Sequence, residues 1–206
     1  MPSSLSSPAA PPSAPPHRVC PWWLGYLLVS PLRRFFDPPA RTLAPHVRPG
    51  MTVLEPGPGM GFFTLELARL AGSSGRVVAV DIQPRMLAAL RKRAAKAGVL
   101  DRLELRLANS DSLGLADLRG AVDFTLAYAV VHELPDAARF FREVAAVSKP
   151  GARLLFAEPR GHVTAAHFEV ELEAAHAAGF TLAALPSLRR CHAALLEKIG
   201  PANAEA

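Results

Sequence analysis

The chain has 206 residues, of which 50% are hydrophobic and 20% charged, with a net charge of +5. That is enough chain and enough apolar content for one globular domain, and it excludes a disordered or fibrous protein. The two cysteines, Cys20 and Cys191, are too far apart for a disulfide framework or a zinc ribbon, and no apolar run reaches the length of a membrane span.

Residues 1–16 are almost entirely Ser, Pro and Ala and are expected to form a disordered tail, as is 199–206 at the other end. No basic stretch precedes an apolar core there, so no secretory signal is expected, and the low cysteine content fits a reducing, cytoplasmic setting. Residues 17–46 form an aromatic segment holding Trp22, Trp23 and Tyr26. It reads either as packing on the flank of the domain or as a lid, and Leu32 to His46 reads as a short helix broken at Pro38-Pro39. The main domain is expected over 47–198.

From Met51 the pattern alternates. Thr52–Glu55 is a strand, Gly61–Ala71 a helix stopped by Gly72, and Arg76–Asp81 a strand of the buried type. Pro84 opens a helix with Met86, Leu87, Leu90 and Ala94 on one face, and Gly98 ends it. Leu103–Leu107 and Val122–Tyr128 are strands, and Asp136 caps a helix that stops before Pro150-Gly151. Arg153–Ala157 is a strand, Thr164–Ala178 a helix, and Thr181–Leu185 with His192–Glu197 an antiparallel edge pair. Strands alternating with helices imply an α/β, Rossmann-like, doubly wound sheet of seven mostly parallel strands. Ligands of such sheets bind beyond the carboxyl ends of the strands.

Four stretches fall at those ends. The first is Glu55-Pro56-Gly57-Pro58-Gly59-Met60-Gly61, followed by Phe62. Glycine tolerates positive φ and lets backbone N–H groups approach a ligand closely. A dinucleotide fingerprint places its third glycine one position later, where Phe62 stands, and this disfavours an NAD(P)-dependent oxidoreductase. The second is Asp81-Ile82. An acid at a strand end accepts hydrogen bonds from ribose hydroxyls, or simply caps the next helix. The third is the polar turn Ala108-Asn109-Ser110-Asp111. The fourth is Asp123-Phe124-Thr125-Leu126-Ala127-Tyr128, running on to His132-Glu133.

In this order the four stretches resemble the UbiE-like class I S-adenosylmethionine (SAM) methyltransferases. Lys149-Pro150-Gly151 and Ala178-Gly179-Phe180 extend the resemblance over about residues 47–197. The resemblance implies SAM as cofactor and S-adenosylhomocysteine as product. It places the cofactor on Glu55, Gly57, Gly59, Gly61, Phe62, Asp81, Ile82, Asn109, Ser110 and Tyr128. Asn109 replaces the family's acid at the adenine amine, with Asp111 as the alternative in a shifted register. An Asn/Asp-Pro-Pro-Tyr sequence is absent after strand four, which disfavours base or glutamine amide methylation. Tyr128 and His132 are the catalytic candidates; His132 reads either as a base with Glu133 as its orienter or as a locally bonded histidine beside a solvated Glu133. Glu158 and His162 are further acceptor-side candidates, and Arg160 is a candidate for holding an anionic substrate group.

The expected reaction is methyl transfer to a small-molecule acceptor, with no resident metal. The positive charge is scattered, its longest run being Arg91-Lys92-Arg93, so DNA is not expected as a partner and RNA is disfavoured. An RNA or protein methyltransferase and a non-catalytic SAM-binding protein stand as alternatives. Oligomeric state is not legible.

Overall fold

The computed structural model describes residues 38–109 and 111–200. The aromatic segment around Trp22-Trp23, with His17 and Cys20, therefore lies outside the described residues, as does Ser110.

Among the described residues seven strands form one sheet: β1 (Thr52–Pro56), β2 (Arg76–Asp81), β3 (Leu103–Leu107), β4 (Val122–Tyr128), β5 (Ser148–Pro159), β6 (Phe180–Ala184) and β7 (Cys191–Lys198). Their order is β3-β2-β1-β4-β5-β7-β6. β1 to β5 pair in parallel, while β7 runs antiparallel to both β5 and β6. The chain order reverses between β1 and β4, so the topological switch point lies there.

The central strands are buried on both faces, which is why they read as continuous apolar runs. Alternate residues feed two cores. Leu54, Val78, Leu154 and Phe156 pack with Phe140, Phe141 and Val144 of α4 (Ala137–Val147) and with Phe168 of α5 (Ala165–Ala177). Val53, Val77, Phe124 and Leu155 face the other way. They pack on Leu43 of α1 (Pro39–Leu43), Leu67 and Ala68 of α2 (Thr64–Ala71), and Leu90 and Ala94 of α3 (Pro84–Lys96). Among the described residues no helix is long and apolar enough to cross a membrane.

Two boundaries differ from the sequence expectation in ways that bear on the site. Helix α2 begins at Thr64 rather than Gly61, because Gly57, Gly59 and Gly61 all adopt positive φ (66°, 53° and 83°) and cannot continue a right-handed helix. Strand β5 begins at Ser148 rather than Arg153. It takes in Pro150-Gly151 through a register shift, with Val122 opposite Ser148 but Phe124 opposite Arg153. Lys149 and Asp123 close this irregularity with an ion pair of 2.5 Å, and Asp123 also accepts from the Thr52 amide at 2.8 Å. Asp136 opens α4 as expected, and its side chain and that of Thr164, at the start of α5, accept from the Arg139 and His167 amides.

Candidate active site

A cavity of about 880 Å³ opens at the carboxyl ends of β1, β2, β4 and β5, large even for a small-molecule site. Its floor is the loop after β1. Gly57 donates its N–H to the Val80 carbonyl at 2.8 Å, tying the loop to β2. A Cβ on Gly57 would stand 2.7 Å from Val130 Cγ2, so the loops after β1 and β4 touch at the switch point. On that second loop Ala129 has φ 57°, an uncommon conformation for a residue with a side chain and one often found where loops serve function.

Two buried acids face this floor. Glu55 is 3% exposed, lines the cavity, and has no hydrogen-bond partner for Oε2. Burial, aided by the charge of Asp81, pushes its carboxyl up to about 8 from the ordinary 4.5. Asp81 accepts from the Gln83 amide at 2.8 Å through Oδ1 and from the Gly59 amide at 3.3 Å through Oδ2. Burial lifts its carboxyl to about 6 despite those amides. Each oxygen still has a lone pair free of these contacts for a ligand hydroxyl. Ile82, 40% exposed, presents an apolar side chain to the cavity beside it.

An orphaned buried carboxylate facing a cavity suits a cationic ligand, and its protonation equilibrium has a stability consequence. The folded chain binds the Glu55 proton more tightly than the unfolded chain does. Stability therefore falls as pH rises from about 4.5 to about 8. Glu55→Gln removes that penalty. The ligand-free melting temperature at pH 8 should rise by roughly 3 °C or more, since about 1 kcal/mol moves a protein of this size by about 2–4 °C. At pH 4.5 the gain should nearly vanish. A variant that melts lower than the parent at pH 8 in scanning fluorimetry would refute this account of Glu55.

The turn after β3 is held from α4. Glu143 Oε2 accepts from the Leu113 amide at 2.7 Å and the Ser112 hydroxyl at 3.1 Å, and Arg139 donates to the Asp111 carbonyl at 2.7 Å. Ala108 and Leu113 line the cavity. Asn109 does not, and its Oδ1 accepts the amides of Asp111 and Ser112 at 2.9 and 2.8 Å. Gly61 is also set back from the cavity. A Cβ there would meet Leu90 Cδ1 at 2.4 Å, so the glycine admits close packing of α3.

The opposite wall comes from β4 and β5. Tyr128 tilts against Phe63 at 4.6 Å between centroids, and its hydroxyl lies 3.2 Å from Cys191 Sγ. His132 sits on a short 3₁₀ turn, Val131–Glu133, and lines the cavity together with His162. The carboxylate on its ring is Glu158, not the expected Glu133: Glu158 Oε2 is 2.5 Å from His132 Nδ1. Burial opposes protonation of His132, but the hydrogen bond and charge of Glu158 outweigh it, and the imidazole pKa is raised.

The structure thus brings Glu55, Gly57, Gly59, Phe62, Asp81, Ile82, Tyr128 and His132 around one cavity. Arg160, one candidate for an anionic substrate group and otherwise read as a solvated arginine, donates Nε to the Cys191 carbonyl at 3.1 Å. The arginines that do line the cavity are Arg189 and Arg190, the latter at φ 60°. They and Cys191 were not singled out as site residues, although the expected antiparallel edge pair carried the signal. A strand antiparallel to β5 starts at the edge where β5 ends, and Cys191 pairs with Pro159. Among the described residues no group of three His, Cys, Asp or Glu side chains could hold a metal ion.

Known proteins share this fold. The family model described as "Methyltransferase domain" matches residues 54–156, half of the chain. The chain belongs to this family, the class I SAM-dependent methyltransferases of UbiE-like type. It is 34% identical over 117 residues to the ubiquinone/menaquinone biosynthesis C-methyltransferase UbiE of Brucella canis. That match covers 56% of this chain and 42% of the relative. The corresponding Klebsiella pneumoniae protein is 34% identical over 112 residues, 54% of this chain and 44% of the relative. The chain therefore spans less than half the length of the curated relatives it matches. Among solved structures, a SAM-dependent methyltransferase from Aquifex aeolicus superposes with a TM-score of 0.78 at 24% identity. It covers 88% of this chain and all of that one, a likeness of fold. The orphaned Glu55 oxygen, the close-approach glycines and the Asp81 acceptor fit the family's cofactor, which carries a cationic amino acid end and a ribose.

Proposed function

We propose that this methyltransferase moves a methyl group from SAM to a small-molecule acceptor in the cavity beyond β1 and β4. The observation that carries the reading is the set of three complementary features on one floor: the positive-φ glycine loop, the ribose-type acceptor Asp81 and the unpartnered Glu55 oxygen. The relatives' names, quinone-biosynthesis C-methyltransferases, support a small, ring-bearing acceptor.

Bound SAM supplies a methyl group on a sulfonium, a leaving group that is already activated. The chain's own work is alignment and exclusion of water. Gly57 and Gly59 keep side chains off the floor, with Phe62 beside them in the cavity wall and Gly61 seating α3 behind. Glu55 faces the ammonium end, Asp81 takes the ribose hydroxyls, and Ile82 offers an apolar surface to the adenine. The adenine edge falls to the turn after β3, where Ala108 and Leu113 line the cavity. Tyr128 and His132 stand on the far wall, at the acceptor end.

Isothermal titration should show SAM and S-adenosylhomocysteine binding at micromolar levels or tighter. A panel of phenols, quinols, thiols and amines, read by mass spectrometry, should yield a product heavier by one methyl group. Binding of neither compound would end this reading. Methylation of RNA or protein in place of every small acceptor would replace its substrate half.

A further inference from the structure

Glu158 closes β5 with no exposed surface, and both of its oxygens go to one turn. Oε1 accepts the Val131 amide at 2.8 Å and the His132 amide at 3.4 Å, and Oε2 takes the His132 ring at 2.5 Å. The amide contacts alone would anchor the turn. The ring contact does something further: with Glu158 as acceptor, Nδ1 carries the hydrogen and the lone pair falls on Nε2. Burying a carboxylate without good partners costs several kcal/mol, so a carboxylate spent on an imidazole's orientation is an expensive scaffold for a merely solvated histidine.

The surroundings serve the same charge state. Glu171 of α5 is 2% exposed, and its Oε2 has no hydrogen-bond partner. Burial, and then the charge of Glu158, pushes its carboxyl up to about 7. A second full negative charge is thereby resisted beside Glu158, while one positive charge on His132 is welcomed. On the cavity side His162 Nδ1 lies 3.4 Å from His132 Nε2, with the rings edge to face. His162 is exposed, so a proton arriving at His132 has a neighbour that leads to solvent.

Resting on the methyl-transfer reading above, we infer that His132 is the general base of the reaction, with Glu158 its positioning residue and His162 its outlet. The acceptor is then a neutral hydroxyl acid of the phenol or enol class. The acceptor O–H bond breaks and its proton passes to His132 Nε2. The freed electron pair makes the new bond to the methyl carbon, at oxygen or at a ring carbon conjugated with it. The methyl–sulfur bond breaks with its pair left on sulfur. For bonding at oxygen the imidazolium then loses its proton through His162. For bonding at carbon the imidazolium returns its proton to the oxygen, and His132, neutral again, takes the proton that the methylated ring carbon sheds and passes it out through His162. Aryl thiols, acidic enough to be largely ionised near neutrality, make little demand on this apparatus.

The test is Glu158→Gln. Glutamine keeps the volume and can still accept the Val131 amide, but its amide nitrogen donates to Nδ1 and forces the other tautomer, the logic by which an Asp→Asn change disables a serine protease triad. Long-range ¹H–¹⁵N correlation spectra should show His132 protonated at Nδ1 in the parent and at Nε2 in the variant. The affinity for SAM should stay within about threefold of the parent, while turnover of hydroquinone falls by about 10²–10⁴-fold, the usual range for a general base. Turnover of an aryl thiol, already ionised at the assay pH, should change far less. The acid limb of the parent's hydroquinone profile should lie above the ordinary histidine value, held up by Glu158 of β5, Glu133 of the same turn and Glu171 of α5. It should move down in the variant.

An Nε2–H parent, a tautomer unchanged in the variant, or equal losses on phenol and thiol would each overturn the inference. So would a panel in which thiols or amines are methylated and no hydroxyl acceptor is. The tautomer measurement needs neither cofactor nor acceptor. Failure to bind SAM would therefore strike the methyl-transfer reading and leave only the Glu158-set tautomer standing, whereas an unchanged tautomer with SAM bound would strike the inference alone.

Discussion

Asp81→Ala should weaken SAM and S-adenosylhomocysteine binding by roughly 10²–10⁴-fold, because hydrogen bonds to a charged acceptor contribute about 1.5–3 kcal/mol each and a ribose offers two hydroxyls. The loss has a second source within the protein. Asp81 Oδ2 accepts from the Gly59 amide and Oδ1 from the Gln83 amide, so the same carboxylate steadies the glycine loop and the start of α3. Asp81→Asn separates the two. It keeps one acceptor oxygen for the protein's amides and loses the charge, and the expected loss is about tenfold.

The pH dependence follows from the raised carboxyl. Ionised Asp81 is the form that accepts on both oxygens, and it protonates through about pH 6. In a Glu55→Gln background, where the second cavity carboxyl no longer titrates near 8, cofactor affinity should therefore be flat above about pH 6 and fall below it by up to about tenfold per pH unit. A titration in that background flat from pH 7 to pH 5, or an alanine variant binding like the parent, would remove Asp81 from the cofactor site.

The parts of this site that could be read from sequence are those marked by residues with few other uses at their positions. Glycine at 57, 59 and 61 has a backbone reason, now visible as three positive φ angles, and Asp81 has a strand-end reason. The strand and helix alternation was legible for the same kind of cause: strands buried on both faces must be apolar throughout, and α3 and α4 must be apolar on one side. What sequence could not supply was partnership across the sheet. Glu133 is the nearest acid to His132 along the chain, yet Glu158, 26 positions away, holds the ring. β4 and β5 are parallel neighbours, with Tyr128 opposite Ala157, and this alone brings the two together. The length of β5 was hidden because Pro150-Gly151 reads as a turn until a register shift absorbs it. Asn109 illustrates the opposite limit. Its side chain is consumed by its own turn, a local hydrogen-bonding habit of Asn that motif position does not reveal.

The glycine loop offers the sharpest separation of folding from binding, since its members face different neighbours. At Gly61 an added Cβ would stand 2.4 Å from Cδ1 of Leu90, a fully buried side chain, with φ at 83°. Left-handed backbone costs a residue with a Cβ about 1–2 kcal/mol, and overpacking a tight core costs about 1–3 kcal/mol more. Gly61→Ala should therefore lower the ligand-free melting temperature by roughly 5–15 °C.

At Gly59 the same Cβ meets no protein atom within 4 Å, and φ is 53°, close to the left-handed minimum that side chains tolerate best. Gly59→Ala should lower the melting temperature by no more than about 2–5 °C. It should nevertheless weaken SAM binding by about tenfold or more, because Gly59 lines the cavity and the new methyl group takes space where backbone meets ligand. Calorimetric melting and titration of the two variants, side by side, decide the matter. If Gly61→Ala melts like the parent, the packing role assigned to that glycine is wrong. If Gly59→Ala binds like the parent, the floor of the cavity is not where the cofactor lies.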